Sequence, residues 1–307
     1  MIRKETLESA VFDAIRRGTT ILPEDVKSAF ERAICKETSK TARFGLEKTL
    51  ESMNLSKQRD NLLCADTGWP IFYVKVGEEC VVEGGFTEIE KIIKEQVAKA
   101  THAGYLRKTM KHPLTGADPG NNIGMNIPGI TYKLVKGNEL EIAYVAKGGG
   151  SECFGGTRHR MVAFADGIAG IKKCVIENFI AASKAGAICP PSVLGIGIGG
   201  TANMAANLAK EAACLRTVGS HHPETDIRNL EIELCEAINE LGVGILGAGG
   251  KVSVLAVNIE YAYTHIAGIA VAMSSNCMVA RRGANLIKAD NTIIPLKAPN
   301  WFDREEN

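Results

Sequence analysis

The stretch 189-CPPSVLGIGIGGT-201 joins a cysteine, two prolines and an apolar run that is rich in glycine. The two prolines fix the backbone and prevent a helix from continuing, and the apolar run after them is predicted to be a strand. Helical spacing predicts helices on either side of it, over 166–183 and 202–213. A helix, a strand and another helix in succession are typical of an α/β domain.

The same alternation extends over the rest of the chain. The N-terminal residues 1–60 read as amphipathic helices, the first with apolar side chains at helical spacing and the second beginning near Pro23. Further strands are predicted over 71–76, 139–147, 252–260 and 266–274, and further helices over 87–101 and 225–241. We therefore predict one α/β domain over residues 1–307, in which a mixed sheet is flanked by helices and the N-terminal region is helical.

Composition excludes several classes of protein. The chain has 36 Lys and Arg against 35 Asp and Glu, a formal charge of +1, and no basic stripe interleaved with aromatic residues, so nucleic acid is not an expected partner. No segment reaches the roughly 20 apolar residues that span a bilayer. The N-terminus lacks the apolar core of a signal peptide, and we expect a cytoplasmic protein without membrane contact.

Nine cysteines are present, an odd number, and no CxxC pair suggests a zinc ribbon or a thioredoxin-type site. Three of them fall at the predicted ends of elements, where a side chain can point into a cleft. Cys64 precedes Asp-Thr-Gly, Cys189 precedes Pro-Pro, and Cys277 ends an apolar segment. Cys174, like two others, lies within a predicted helix and suits packing as a small apolar side chain.

Two interpretations of Cys64, Cys189 and Cys277 stay open on spacing alone. They can be buried thiols, or they can be three ligands of a [4Fe–4S] cluster, whose fourth iron then has no protein ligand. An open iron acts as a Lewis acid on a hydroxyl or a carboxylate, which suits a hydro-lyase better than an electron carrier.

The glycine-rich runs are also ambiguous. The run 195-GIGIGGT-201 lacks the Lys-Ser/Thr of a P-loop, and no acidic residue about 20 positions further on supports dinucleotide binding. Tight turns and close approach of a ligand are both consistent with it, and with 147-KGGGS-151 and 247-GAGGK-251.

Together these motifs resemble one family. The motifs 64-CADTG-68, 147-KGGGS-151, 189-CPP-191, 195-GIGIGGT-201, 242-GVG-244, 247-GAGG-250 and 264-THIAGIAVAMSSNC-277 occur in its order over nearly the whole chain. The chain resembles the α subunit, or N-terminal half, of the iron–sulfur class I fumarase and L(+)-tartrate dehydratase family.

The resemblance implies a ligand set and two catalytic candidates. Cys64, Cys189 and Cys277 match the three ligands of a [4Fe–4S] cluster. Asp66 matches an acidic residue beside the substrate, and His265 matches a histidine near the third ligand and the substrate. Asp66 could instead begin an Asx turn, and His265 could be a hydrogen-bonded core histidine.

Three further positions match substrate-binding residues. Arg107 matches an arginine that holds a substrate carboxylate, and Gly148 and Gly149 match a turn whose backbone approaches the substrate. Arg107 could instead be a surface residue on a helix. The neighbours Arg281 and Arg282 could bind substrate or a partner, but a solvated pair is the expectation.

The family reaction is the reversible dehydration of a 2-hydroxy dicarboxylate, malate to fumarate or L-tartrate to oxaloacetate. In the family the catalytic base belongs to a separate β portion, so the resemblance implies a β subunit as partner and a hetero-oligomer such as α2β2. Ala65 stands where the family has Gln, which leaves the substrate open. That departure also favours a rival, a non-catalytic iron–sulfur or redox-sensing protein, and a third possibility is a structural zinc site on the same cysteines.

Overall fold

The computed structural model describes residues 1–186 and 188–302, in which helices alternate with strands. The α-helices are α1 (Lys4–Thr20), α2 (Glu24–Lys36), α3 (Lys40–Arg59), α4 (Thr87–His102), α5 (Gly149–Cys153), α6 (Gly167–Lys184), α7 (Ala202–Leu215) and α8 (Thr225–Glu240). The strands are β1 (Trp69–Gly77), β2 (Gly129–Val135), β3 (Leu140–Lys147), β4 (Thr157–Ala163), β5 (Ser192–Ile198), β6 (Val254–Tyr261), β7 (Gly268–Asn276), β8 (Arg282–Ile287) and β9 (Ile293–Leu296). Within the described ranges, no helix combines the length and the apolar character needed to cross a bilayer.

The chain folds into two compact units, each with one sheet. Among the described residues, the first unit combines Met1–Pro23, Met53–Lys147 and residues 281–302, and the second combines Glu24–Ser52 with Gly148–Ala280. The mixed α/β class, the flanking helices and the helical N-terminal region are confirmed, with two mixed sheets in place of one.

The first unit is built on a five-stranded sheet in the order β2-β1-β3-β8-β9. β1 and β2 are parallel, and every other neighbouring pair is antiparallel. The apolar side of α1, with Leu7, Val11 and Ile15 fully buried, packs in one core with residues of β1 and β3 such as Phe72 and Ile142. The helical spacing near the N-terminus therefore predicted the face of α1 that the core covers.

The second unit is built on a four-stranded sheet in the order β4-β7-β5-β6, in which only β5 and β6 are parallel. Alternate residues of β5 face opposite sides of the sheet. Leu194 and Ile196 lie in one apolar core with residues of α6 and α8. Gly195 and Gly197 face α7 on the other side, so β5 is covered on both faces.

The glycines of β5 allow α7 to lie directly on the sheet. A Cβ atom on Gly195 would overlap the carbonyl oxygen of Ala209, and one on Gly197 would overlap that of Ala205. At these two positions the backbone approaches a helix and not a ligand. The following Gly199, with φ of 84°, adopts the left-handed conformation of the turn that leads into α7.

The sequence did not predict four of the strands, namely β2, β4, β8 and β9. β4 is an edge strand of its sheet, and Val162 is its one buried residue, so the apolar alternation that marks a strand is absent. β2 also lies at a sheet edge, and it has no buried residue.

Candidate functional site

Cys64 lies in the first unit, in the irregular segment between α3 and β1. The segment is fastened to the end of α1, because the Leu63 N–H donates to the carbonyl oxygen of Thr19 at 2.9 Å. The Asp66 Oδ1 accepts the Gly68 N–H at 3.0 Å, and Gly68 has a φ of 72°. This is the Asx turn that the sequence offered as an alternative for Asp66, and it fixes the carboxylate two residues from a half-buried thiol.

Arg107 contacts this same segment. It lies after α4 and outside any helix, which overturns the helix-surface interpretation. Its Nη1 donates to the carbonyl oxygen of Ala65 at 2.6 Å, and its backbone N–H donates to Thr67 Oγ1 at 2.6 Å. The first unit therefore brings Arg107 to the Cys64–Gly68 segment, a contact that the sequence did not predict. Because Arg107 is exposed, the other N–H groups of its guanidinium are accessible to a carboxylate of a ligand.

Cys189 and Cys277 lie side by side in the second unit. β5 and β7 are antiparallel with Val193 opposite Asn276, so the residues before β5 lie beside the residues after β7. The Met278 N–H donates to the carbonyl oxygen of Cys189 at 3.1 Å. Cys189 is exposed and Cys277 is buried. Two of the three predicted ligands thus meet at one end of one sheet.

The segment with Gly148 and Gly149 reaches the same end of that sheet. Gly148 precedes α5, which Gly149 begins. The turn after α5 contacts β7, where the Ser275 N–H donates to the carbonyl oxygen of Gly156 at 2.8 Å. Ser275 is two residues from Cys277, so α5 lies close to the cysteine pair.

His265 is at the opposite end of β7. It is an exposed residue of the loop between β6 and β7, and its Nδ1 accepts the Ala267 N–H at 3.1 Å. β7 has nine residues, which separate His265 from Cys277 by about 25 Å of strand. The structure does not bring His265 to the cysteine pair, and the exposed side chain is not a core histidine either.

Arg281 and Arg282 are not a solvated pair, and that expectation is wrong. Arg281 is 2% exposed and Arg282 is 5% exposed. They lie where β8 begins, and Arg282 pairs with Val145 of β3 in the first unit. Two adjacent arginines are typical of solvent-exposed chain, but here they lie at the buried start of a strand.

Comparison with known proteins agrees with the motifs. The family model described as fumarate hydratase (Fumerase) matches residues 8–285. The chain belongs to the fumarate hydratase family. A Methanocaldococcus jannaschii protein named "Putative L(+)-tartrate dehydratase subunit alpha" is 40% identical over 289 residues, which cover 92% of this chain and 98% of that protein.

Two bacterial family members are similar over slightly less of the chain. The L(+)-tartrate dehydratase subunit alpha of Escherichia coli O157:H7 is 34% identical over 275 residues, 89% of this chain and 88% of that protein. The protein of the same name from Shigella boydii serotype 4 is 33% identical over the same length and the same shares.

The three candidate ligands of this family member, Cys64, Cys189 and Cys277, are cysteines, the residue type that binds iron–sulfur clusters. All nine cysteines lie in the described part of the chain, and none of them forms a disulfide. The hydrogen bond between the backbones of Cys189 and Met278 brings together two chain segments, each of which carries a candidate cysteine. Among residues 1–186 and 188–302, no group of three or more His, Cys, Asp and Glu side chains is arranged to hold a metal ion.

Sequence reasoning missed two residues of the site, Thr67 and Asn122. Both are buried, at 2% and 1% exposure, and both bond the backbone around Arg107. Asn122 has a φ of 61°. The Gly-Asn-Asn run that holds it is a signal for a left-handed residue, but the sequence does not say which segment its amide bonds.

Proposed function

We propose that this chain is the α subunit of a [4Fe–4S] hydro-lyase that reversibly dehydrates a 2-hydroxy dicarboxylate. The observation that carries the proposal is the meeting of two predicted ligands, Cys189 and Cys277, at one end of the sheet of the second unit. Family membership supports it independently.

Cys64, Cys189 and Cys277 would hold the cluster as thiolates. When bound, such a cluster supplies a Lewis acid for the departing hydroxyl, since three protein thiolates leave one of its four irons without a protein ligand.

Arg107 would hold one carboxylate of the substrate. The Nη1 bond to Ala65 fixes the plane of the guanidinium, and its other N–H groups are those that bind a carboxylate. The backbone amides at Gly148 and Gly149 would bind the second polar end of the substrate, and they lie near the cysteine pair through α5.

Asp66 is the stronger of the two catalytic candidates. Its carboxylate is fixed in the turn between Cys64 and Gly68, on the segment that Arg107 contacts. There it can accept a hydrogen bond from the substrate hydroxyl and so orient the group that leaves. His265 is kept as a candidate on the resemblance alone, because it lies a strand length from Cys277.

A partner would complete the reaction. Loss of water removes a hydroxyl from one carbon and a proton from its neighbour, and the base for that proton would come from a β subunit. The relatives are named as α subunits, which supports a hetero-oligomer, and we propose α2β2. Nine cysteines without a disulfide support a reducing, cytoplasmic setting.

The relatives' names favour L(+)-tartrate as the substrate to assay first. Dehydration of tartrate gives the enol of oxaloacetate, which becomes the keto acid by moving one proton. Malate and fumarate are the matched comparison, since they lack the second hydroxyl.

An EPR spectrum of anaerobically purified protein, before and after brief exposure to air, tests the proposal. A silent cluster that becomes a three-iron signal supports one labile iron without a thiolate ligand. Assays with the β subunit on tartrate, malate and fumarate then identify the substrate. A cluster that keeps four irons in air, or anaerobic protein without iron, contradicts the proposal; bound zinc without visible absorption identifies the structural alternative.

A further inference from the structure

The side-chain amide of Asn122 uses all its hydrogen-bonding positions within the first unit. Its Oδ1 accepts the backbone N–H groups of Thr109 at 2.9 Å and Met110 at 3.2 Å. Its Nδ2 donates to Thr101 Oγ1 at 3.0 Å and to the carbonyl oxygen of Arg107 at 2.8 Å. The residue is 1% exposed, so water replaces none of these partners easily.

The segment that Asn122 bonds is the one that presents Arg107. Three of the four bonds go to the backbone of Arg107, Thr109 and Met110. The Arg107 N–H in turn donates to Thr67 Oγ1, and its guanidinium donates to the carbonyl oxygen of Ala65. A continuous set of hydrogen bonds therefore runs from Asn122 through Arg107 to the segment with Asp66.

The end of α4 anchors this set. Thr101, in the last turn of α4, donates from its hydroxyl to the carbonyl oxygen of Val97 at 2.8 Å while it accepts from Asn122. A helix is more rigid than the loop over 103–128. Because the Asn122 amide bonds both Thr101 of α4 and the backbone of Arg107, it fixes that backbone relative to the end of the helix.

We propose that Asn122 is a positioning residue, which sets the orientation of Arg107 toward the substrate carboxylate and of the Asp66 turn beside it. This rests on the proposed function, in which Arg107 binds a carboxylate. A bidentate pair of guanidinium and carboxylate tolerates little angular error, so a backbone that moves beneath Arg107 weakens it.

Asn122→Gly is the test variant, because glycine accepts a φ of 61° without strain and removes only the amide. The chain offers a matched control in Asn126→Gly, since Asn126 has a φ of 60°, lies in the same loop and is exposed. Thr67→Val is a second test variant. It keeps the volume of a buried side chain and removes the acceptor of the Arg107 N–H.

Steady-state kinetics of the complex with the β subunit give the first result. Asn122→Gly and Thr67→Val are expected to raise KM for the dicarboxylate about tenfold while kcat changes less than about threefold, since Arg107 binds the carboxylate in ground and transition state alike. Asn126→Gly should keep both constants. A residue that only supports the fold would lower the thermal midpoint and leave the KM of the folded enzyme unchanged, and that result overturns the proposal.

Hydrogen exchange gives a second result that does not depend on turnover. In the same complex, the amides of Arg107, Thr109 and Met110 are expected to exchange about tenfold faster in Asn122→Gly than in Asn126→Gly. If the wild-type protein lacks iron and activity, the proposed function fails. Hydrogen exchange alone then decides whether Asn122 holds the backbone of Arg107. Unchanged exchange overturns it whether or not the enzyme is active.

Should Asn122→Gly fail to fold, Thr67→Val decides the question by the same two measurements. It leaves the four hydrogen bonds of Asn122 in place and removes the one from the Arg107 N–H to Thr67 Oγ1. A normal KM and normal exchange at Gly68 in Thr67→Val would show that the chain of bonds does not position the site.

Discussion

The backbone N–H of Met278 donates to the carbonyl oxygen of Cys189 at 3.1 Å, although the two residues are far apart in sequence. The bond exists because β5 and β7 are antiparallel neighbours and carry the two segments to the same sheet end. It places Cys277, the residue before Met278, beside Cys189. The backbone segments that carry these two cysteines therefore meet at one sheet end, which is compatible with the proposed assignment of both as ligands of one cluster.

Replacement of a ligand thiol should remove the cluster. Cys64→Ser, Cys189→Ser and Cys277→Ser are each expected to lower the iron bound per chain about tenfold or more after anaerobic purification, because a neutral serine hydroxyl is a poor iron ligand compared with a thiolate. Iron analysis and the visible absorption of the cluster measure the loss.

Cys35→Ser is the matched control for Cys189→Ser, since both cysteines are exposed. It should keep full iron content. Cys174→Ser should keep it too, although Cys174 is 1% exposed in α6 and its serine variant will unfold at a lower temperature. The ligand assignment is wrong if all these variants retain the cluster.

Arg107→Lys tests the carboxylate site. Lysine keeps the charge but loses the planar pair of donors, so KM for the dicarboxylate is expected to rise about tenfold or more. Lys108→Ala, at the exposed neighbouring position, should leave KM within about twofold. Equal effects of the two substitutions would indicate general attraction between charges and not a specific site.

His265→Asn should leave the cluster intact. His265 is about 25 Å of strand from Cys277, so removal of its imidazole is not expected to change iron content or the EPR signal after exposure to air. Loss of iron in this variant would show that His265 acts at the cluster in the assembled enzyme, and the distance along β7 would then not describe the functional state.

Local patterns predicted the amphipathic helices well. α4, α6, α7 and α8 lie within a few residues of the expected ranges, because each has one apolar side and each buries it. The exposed edge strands β2 and β4 were missed because backbone pairing forms them, and pairing to a distant strand leaves no periodic signal in the sequence.

The site was predictable only as a set of residue types. Motifs proposed Cys189, Cys277 and Arg107 as candidates, and their placement follows from the antiparallel register of β5 and β7 and from the bond between Arg107 and Ala65. The burial of Arg282 was not predictable, because it depends on the pairing of β8 with β3 and not on the charge of the segment.

Gly197→Ala tests the packing of α7 on β5. An added Cβ would overlap the carbonyl oxygen of Ala205, and neither the helix nor the central strand can move without disturbing the core, so we expect a loss of about 2 kcal/mol or more. Gly124→Ala is the control, because no atom lies within 4 Å of a Cβ there. Thermal unfolding of the two variants measures the difference, and similar midpoints would contradict the close approach.

Glu37 gives the second unit a stability that depends on pH. Its Oε1 accepts the N–H groups of Thr38 and Ser39, each at 2.9 Å, and its Oε2 accepts the Lys251 N–H at 2.7 Å, so it joins the α2–α3 turn to the segment before β6. Burial alone would raise the pKa of this carboxyl, but these backbone bonds outweigh burial and lower the pKa from its ordinary value of 4.5.

Because the pKa of Glu37 is lower in the folded protein than in the unfolded chain, its ionised form stabilises the fold above about pH 4.5, and this contribution is lost as the pH falls below that value.

Glu37→Gln removes the charge and leaves one N–H without an acceptor, so we expect a loss of about 1–2 kcal/mol at pH 7. The unfolding midpoints of the variant and the parent should converge as the pH falls below about 4.5 and the parent carboxyl becomes protonated. Glu47→Gln, at an exposed position of α3, should follow the parent at every pH. A difference for Glu37→Gln that stays constant on acidification would mean that the side chain stabilises through its shape and not through its charge.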